Sequence, residues 1–190
     1  MSQKRQAGFF DRSRDRRSQI ATLIHDYPAG HVIPSHFHDR DQLVYASRGV
    51  MTIRTAGGAW VVPPYRAVWI PAAISHTITM SGTVAMRTLY LKPRLAKALP
   101  RDCRVVNVST LLRELILHTC SLGVLKKGVK SKEHLIGVIL DQLQIVEMLP
   151  LQLPHLSDPR AQRVAERFTA NPGDPRTVGQ ICKKLSLIHI

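Results

Sequence analysis

The sequence has 190 residues, 44% of them hydrophobic, which suffices for one ordinary core with a small appended module and excludes two large domains. Its 27 Lys and Arg residues outnumber 13 Asp and Glu residues, giving a formal net charge of +14. That charge favours phosphate-bearing partners but does not by itself establish one.

Residues 1–19 are predicted to be a basic, mobile segment, because the run "DRSRDRR" offers no apolar face that could dock. The three cysteines, Cys103, Cys120 and Cys182, are widely spaced and form no CxxC pair, as expected in a reducing compartment. No window approaches the roughly 20 apolar residues of a membrane span. We therefore expect a soluble, cytoplasmic protein with no membrane partner.

Residues 20–93 are predicted to form a β-barrel of short strands. The runs "VMTIRT" and "AWVV" flank residues 56–58, where two glycines permit the positive φ of a tight hairpin. Pro63 and Pro64 interrupt the pattern where an interior strand could not tolerate them. Several short strands separated by such turns are typical of a sandwich or barrel.

Residues 94–149 are predicted to be helical. One helix begins at a Ser109 or Thr110 cap and stops near Gly123, and a second runs from Ser131 to the proline at position 150. The second helix repeats apolar residues at helical spacing: Leu135, Ile136, Ile139, Leu140, Leu143 and Val146. This stripe either packs in the core or pairs with a second subunit, and we assign the region to dimerisation.

Residues 150–157 are rich in proline and predict a linker, after which a new unit spans residues 158–190. Asp158 can cap a helix that starts at Pro159, and Thr177 can cap a second, short helix. Three residues of that short helix are expected to face inward: Val178, Ile181 and Cys182.

The stretch "IPSHFHDRDQLVYASRG" carries the candidate functional residues. In a strand, residues two apart point to one face, so His36 and His38 present adjacent imidazoles, and Gln42 has the same parity. His76 is the candidate for a third ligand from a neighbouring strand. Three interpretations stay open: a divalent transition-metal site, a metal-free effector pocket that hydrogen-bonds to the histidines, or rim residues that bind water.

These residues resemble the first cupin motif in every spacing, from Gly30 through His36, His38 and position 42 to Gly49. Metal-dependent cupin enzymes typically place glutamate at the fourth of these positions, where this chain has Gln42. A neutral amide is a poorer ligand than a carboxylate, although its carbonyl oxygen can coordinate. The resemblance thus implies a cupin barrel with His36, His38, Gln42 and His76 as the candidate metal ligands.

The second cupin motif is partly present, since "PAAISH" keeps Pro71 and His76 but has Ala73 in the place of the usual glycine. The order of barrel, two helices, proline-rich linker and capped helix pair is similar to AraC-type transcription regulators with an N-terminal cupin sensor. That resemblance covers roughly residues 20–184 and makes residues 158–190 the start of a helix-turn-helix DNA-binding domain. The final "LSLIHI" stands where the DNA-reading helix would follow, which suggests a truncated domain.

The resulting fold class is mainly β with C-terminal α. The leading functional hypothesis is a non-enzymatic, homodimeric transcription regulator that binds DNA and senses a small-molecule effector. The alternative is a cupin metalloenzyme of the dioxygenase or isomerase type that uses His36, His38 and His76. Pocket candidates are four arginines and three aromatic residues: Arg48, Arg54, Arg66, Arg87, Trp60, Tyr65 and Trp69.

Overall fold

The computed structural model describes residues 18–145, 148–149, 158–170 and 176–184. The chain divides into two compact units, the first extending to Leu153 and the second beginning at Pro154. Three predicted features lie outside the described residues: the N-terminal segment up to residue 17, the linker at 150–157 and the LSLIHI sequence at 185–190. Among the described helices, none combines the length and the apolar character needed to cross a membrane.

The described part of the first unit consists of nine strands and two helices. The strands are β1 (Ser18–Tyr27), β2 (Val32–His36), β3 (Asp41–Thr55), β4 (Gly58–Val62), β5 (Arg66–Ile70), β6 (His76–Leu91), β7 (Arg104–Asn107), β8 (Val124–Lys126) and β9 (Met148–Leu149). The helices are α1 (Thr110–Leu122) and α2 (Lys130–Ile145). The strands lie in the order β8-β1-β6-β3-β5-β7-β9, with β2 also paired to β6 and β4 to β3.

The two longest strands, β3 and β6, run antiparallel along their whole length, with Thr55 opposite His76 and Asp41 opposite Leu91. The register shifts on both sides of Arg48, and the neighbouring Gly49 has a φ of 82°. Such bulges bend a strand, so β3 and β6 each contribute to two halves of the sheet. One half continues into β1 and β5 and the other into β2 and β4, which gives the predicted cupin β-barrel.

Alternation along the strands creates two separate cores. The inner core lies between the two halves of the sheet and contains Val44, Ala46, Met51, Ile53, Trp60, Val62, Val68, Ile70, Ile78, Met80, Val84, Met86 and Val105. The helix-covered core lies on the opposite face of the β1, β3, β5 and β6 half, beneath α1 and α2. Successive residues of β3, such as Leu43 and Val44, therefore enter different cores.

The turn and cap predictions for the first unit are confirmed. The β3–β4 hairpin closes with Thr55 opposite Gly58. At the start of α1 the Ser109 hydroxyl accepts a hydrogen bond of 3.1 Å from the amide of Leu112. At its end Gly123 adopts a φ of 76°, a left-handed conformation that glycine tolerates without a Cβ penalty.

The prediction of an entirely helical segment at 94–149 is wrong at three places, where β7, β8 and β9 join the sheet. Strands of two to four residues are too short to show alternation, so the helical period around them dominates the pattern. The second helix was expected to continue to residue 149. It ends at Ile145, and Met148 and Leu149 instead pair with Val106 and Val105 of β7.

The apolar stripe of α2 serves the intramolecular core. Ile136, Ile139 and Leu143 are 6%, 0% and 1% exposed within the helix-covered core. Leu135 and Leu140 pack against the same core from its edge. The stripe itself is therefore not available for a second subunit.

The second unit contains α3 (Pro159–Ala170) and α4 (Val178–Lys184). The predicted Asp158 cap is present, since its carboxylate accepts the amide of Arg160 at 2.8 Å. Thr177 and Gln180 satisfy each other's amides through their side chains, in a capping box.

Burial along α4 follows the prediction only in part. Ile181 is buried and Cys182 half-buried, whereas Val178 is 57% exposed, so its predicted inward position is wrong. Val178 is the first residue of the helix and follows the exposed Thr177, which explains why it remains in solvent.

Candidate metal and effector site

Three histidines meet at one end of the barrel. His36 ends β2, His38 lies in the loop that follows, and His76 begins β6 directly opposite His36. The ring centroids of His36 and His76 are 4.3 Å apart, and one ligand nitrogen from each of the three residues lies within 4.8 Å of the others. The predicted convergence of these side chains is therefore present in the structure.

The turn before β6 fixes the backbone around this cluster. The amide of Ala73 donates to the carbonyl of His38 at 2.8 Å, and the amide of Ala72 donates to the Asp41 carboxylate at 2.9 Å. Ala73 adopts a φ of 67°, in the left-handed region that favours glycine. This conformation explains why the second cupin motif usually has glycine here. In this chain an alanine adopts the same backbone conformation.

Backbone carbonyls determine which histidine nitrogens are free to bind a ligand. The Nδ1 atom of His36 lies 2.7 Å from the carbonyl of Pro34, and that of His76 lies 2.9 Å from the carbonyl of Ile74. A carbonyl oxygen only accepts, so each Nδ1 donates and each neutral ring keeps its lone pair on Nε2. The buried Nε2 of His76 has no hydrogen-bond partner among the described residues.

The surroundings keep two of the rings uncharged. Burial, together with the smaller effects of the nearby His36 and His76, lowers the pKa of His38 to about 3. Burial lowers the pKa of His76 to about 4, against the opposing effect of its hydrogen bond to Ile74. Both imidazoles are therefore neutral near pH 7, the form in which histidine binds a metal.

Gln42 is connected to this cluster through Tyr90. Gln42 is 2% exposed, and its amide nitrogen lies 3.3 Å from the Tyr90 hydroxyl, to which it donates. The Tyr90 ring in turn lies 4.9 Å from the His38 ring. The carbonyl oxygen of Gln42 is buried and accepts no hydrogen bond from the described residues, so it can serve as an oxygen ligand.

These donors fit a transition-metal ion. Nitrogen ligands bind such ions at about 2.1 Å, which places neighbouring ligand atoms roughly 3.4 Å apart in a tetrahedral site. The observed limit of 4.8 Å between the histidine ligand atoms requires only a small inward rotation of the rings. Three imidazole nitrogens with one amide oxygen form a donor set suited to zinc, iron, copper or nickel.

A cavity of about 690 Å³ adjoins His76, within the usual size range of small-molecule sites. It is lined by Ser35, Arg54, Thr55, Ala56, Gly57, Trp60, Ile74, Ser75, His76, Thr77, Arg101, Asp102 and Cys103. Trp60 is 3% exposed, and its indole N–H has no hydrogen-bond partner among the described residues. Trp60 and His76 thus lie along the cavity wall, but their unpartnered nitrogens are buried beneath its surface.

Of the predicted pocket arginines, Arg54 lines this cavity. Arg48 and Arg87 both form ion pairs with Asp26. The guanidinium of Arg66 lies over the Tyr65 ring, 5.6 Å from its centroid. These three arginines are not among the residues that line the cavity.

Among the predicted aromatic residues, only Trp60 lines the cavity. Tyr65 is 65% exposed, and Trp69 lies in the helix-covered core, where its indole N–H donates to the carbonyl of Pro100 at 2.9 Å. Trp69 therefore contributes to the core and not to the cavity.

Sequence reasoning missed two contributors to this end of the barrel. Arg101 and Cys103 reach the cavity from the loop before β7, which no motif marks. Asp41 is fully buried at the start of β3. A carboxylate that directly precedes a buried strand was the one available signal for Asp41.

Comparison with known proteins identifies the barrel. Residues 21–128 match the family model of the AraC-like ligand binding domain. The HTH-type transcriptional regulator NimR of Escherichia coli is 28% identical over 171 residues, covering 90% of this chain. The chain spans 62% of the length of that relative.

Two solved structures show the same fold. A ToxT variant from Vibrio cholerae aligns over 89% of this chain and 71% of its own, with a TM-score of 0.51 and 10% identity. The AraC-like transcriptional activator CuxR aligns over 90% and 68%, with a TM-score of 0.50 and 12% identity. Two of these three proteins, NimR and CuxR, are transcriptional regulators. Given the family match over more than half of its length, the chain belongs to the AraC family, with an AraC-like ligand binding domain at residues 21–128.

Proposed function

We propose that this chain forms the effector-sensing part of a DNA-binding transcription regulator. One observation carries the proposal: the family-matched barrel has a cavity of about 690 Å³, within the size range of small-molecule sites, and polar side chains such as Arg54, Ser75 and Thr77 line it.

Thermal denaturation of the chain with a chemically diverse fragment set tests the sensing role. We expect a subset of fragments to raise the melting temperature, and the Trp60→Phe variant to lose part of that response. Arg48→Gln is the matched control because Arg48 does not line the cavity. If no fragment of any class stabilises the protein, the sensing role is disproved.

A divalent transition metal at His36, His38, His76 and Gln42 is part of the proposal, supported by the neutral rings and the unsatisfied Gln42 oxygen. A bound ion would supply a fixed positive charge against which an effector could bind. Elemental analysis of protein purified without chelator should find sub-stoichiometric metal. Its content should fall in His76→Ala and rise in Gln42→Glu, which introduces a carboxylate ligand. Absence of metal from both the native chain and Gln42→Glu would refute the site.

DNA is the proposed macromolecular partner, which implies a cytoplasmic location. Exposed basic residues of α3 and α4, among them Arg163, Lys183 and Lys184, can contact phosphates. Titration with promoter and scrambled duplexes at two salt concentrations should show weak binding by this chain, lost at moderate salt and lacking sequence preference. A hundredfold preference for the promoter would contradict this expectation.

A homodimer is also proposed. The α2 stripe is buried, so the dimer would need exposed apolar residues of the helices, such as Leu111, Leu122 and Val138. Sedimentation of the chain at high concentration should detect dimers that Val138→Glu weakens. A strict monomer under these conditions would rule the dimer out.

A further inference from the structure

Asp41 carries a carboxylate that is 0% exposed at the start of β3. A buried carboxylate costs free energy unless hydrogen bonds or charges compensate it. The guanidinium of Arg101 lies 3.9 Å away, beyond hydrogen-bond distance, and its side chain is 59% exposed, so it compensates weakly. The Oδ2 atom of Asp41 accepts no hydrogen bond from the described residues. An apolar side chain of similar size would avoid these costs, so stability alone does not account for aspartate at this position.

The other carboxylate oxygen of Asp41 holds the turn that precedes β6. This Oδ1 atom accepts the amide of Ala72 at 2.9 Å. The next amide, that of Ala73, donates to the carbonyl of His38 at 2.8 Å. Ala73 has a φ of 67°, which is unfavourable for alanine and persists only where surrounding contacts enforce it. The Asp41 side chain is one of these contacts, and it binds the turn to the loop that carries His38.

The same turn influences how the ring of His76 is oriented. The Nδ1 atom of His76 lies 2.9 Å from the carbonyl of Ile74, the residue that follows Ala73. The centroids of the His38 and His76 rings are 5.5 Å apart. One ring is carried by the loop and the other follows the turn, so a displacement of the turn relative to the loop changes this separation. It also disturbs the hydrogen bond that keeps the lone pair of His76 on Nε2.

We propose that Asp41 is a positioning residue for the histidine cluster: its hydrogen bond to Ala72 holds the turn before His76 against the loop of His38. The inference rests on the proposed metal site, which needs the three imidazole nitrogens to face one ion. The role requires an oxygen acceptor at position 41 rather than a negative charge. An asparagine supplies that acceptor, whereas a leucine has a similar shape and supplies none.

Binding of Co²⁺ to the full chain, after treatment with a chelator, tests this role. The visible absorption of the bound ion reports both its affinity and the arrangement of its ligands. Asp41→Leu should weaken Co²⁺ binding about 10- to 100-fold and alter the spectrum, as expected for the loss of a group that orients metal ligands. Asp41→Asn should stay within about threefold of the native affinity and keep the native spectrum.

Two further variants test the hydrogen bond itself. Ala72→Pro removes the amide that Asp41 accepts, and residue 72 precedes the positive φ of Ala73 in its turn, a position that proline favours. It should weaken Co²⁺ binding as much as Asp41→Leu does, and it takes the place of that variant if the leucine protein does not fold. Thr22→Val is the matched control, because it removes a 2.8 Å side-chain hydrogen bond to the carbonyl of Gly123, between two segments outside the cluster. It should lower stability without changing Co²⁺ binding.

A second readout needs no metal. Long-range proton–nitrogen NMR spectra show which imidazole nitrogen carries the proton, and His76 of the metal-free native chain should carry it on Nδ1. Asp41→Leu and Ala72→Pro should mix the two tautomers of His76, whereas Asp41→Asn and Thr22→Val should not.

Three results would overturn the positioning role: a His76 tautomer unchanged in Asp41→Leu and Ala72→Pro, an asparagine variant as impaired as the leucine one, or an equal loss of Co²⁺ binding in Thr22→Val. A native chain that binds no Co²⁺, but whose His76 tautomer still responds to Asp41→Leu and Ala72→Pro, would instead refute the metal site and leave the positioning role in place.

Discussion

The two cores of the barrel differ in how their polar groups are arranged. The helix-covered core is mostly apolar, with Ile20, Leu43, Ile116 and Ile139 each 0% exposed, and among the described residues its unsatisfied polar atom is the buried Tyr45 hydroxyl. The inner core is apolar along most of its length but ends in histidines and a tryptophan whose polar atoms are only partly satisfied. Burial of apolar surface stabilises both, whereas unsatisfied buried polar atoms cost free energy. The histidine cluster and the cavity both lie at one end of the inner core, which supports the proposal that ligands bind there.

The largest effect should come from a charge placed in the helix-covered core. Ile139→Glu buries a carboxylate at a position with 0% exposure and should cost more than about 4 kcal/mol, enough to unfold the first unit. Urea denaturation followed by circular dichroism measures the loss. The adjacent Val138→Glu, at 43% exposure, should change stability by less than about 0.5 kcal/mol. Similar losses for both variants would show that this core is not closed.

The bend that joins the two sheet halves should be the next most sensitive feature. A Cβ on Gly49 would clash with the carbonyl oxygen of Thr83, and the residue has a φ of 82°. Gly49→Ala should therefore lower the free energy of unfolding by about 3 kcal/mol. Gly30 has a similar φ of 75° but open space around it, so Gly30→Ala should cost only about 1 kcal/mol. Equal costs would mean that the close backbone approach is unimportant.

Acid should weaken the inner core more than the helix-covered core. The pKa of His76 is lowered to about 4 and that of His38 to about 3, against 6.5 in the unfolded chain. The unfolded state thus binds protons first, and stability should fall as pH decreases below about 6.5, by about 2 kcal/mol per histidine at pH 5. Denaturation of chelator-treated protein at pH 7 and pH 5 measures this. His76→Gln should reduce the pH dependence, and the more exposed His25→Gln should not.

The smallest effect is expected at the turn beside the histidines. Replacing Ala73, with its φ of 67°, by glycine removes left-handed strain and should stabilise the protein by about 1 kcal/mol. Ala72→Gly is the matched control, because Ala72 has no positive φ and glycine there adds only unfolded-state entropy. A stabilisation by Ala72→Gly as large as that by Ala73→Gly would refute the strain.

Many turns and helix caps could be predicted from sequence because each depends on residues that are close together in the chain. The hairpin at Gly58, the Ser109 cap and the Asp158 cap each depend on residues a few positions apart. The motif spacing likewise predicted that His36, His38 and His76 converge, as they do in the structure. Gln42 is correctly on the buried face of its strand, and its role as a ligand remains a prediction.

The remaining features depend on contacts distant in sequence. Strand β7 forms because β5 offers an unpaired edge, and four residues cannot display a period that reveals this. Arg101 and Trp60 meet in one cavity although 41 positions separate them, and neither belongs to a motif. Asp41 can be buried because the Ala72 amide donates a hydrogen bond to its carboxylate, and only the folded turn brings that amide into place.

The interior position of strand β6 determines how its backbone amides exchange with solvent. The strand is flanked by β3 along its length and also by β2 at its start and β1 toward its end, so most of its amides are bonded on a protected, interior strand. In native-state hydrogen exchange its amides should therefore open only with global unfolding and be among the slowest of the described residues. His76 at one end and Leu91 at the other then belong to the same cooperative unit. A molecule that binds beside His76 should therefore slow hydrogen exchange along the strand as far as Leu91. That residue is 15 positions away and lies in the helix-covered core.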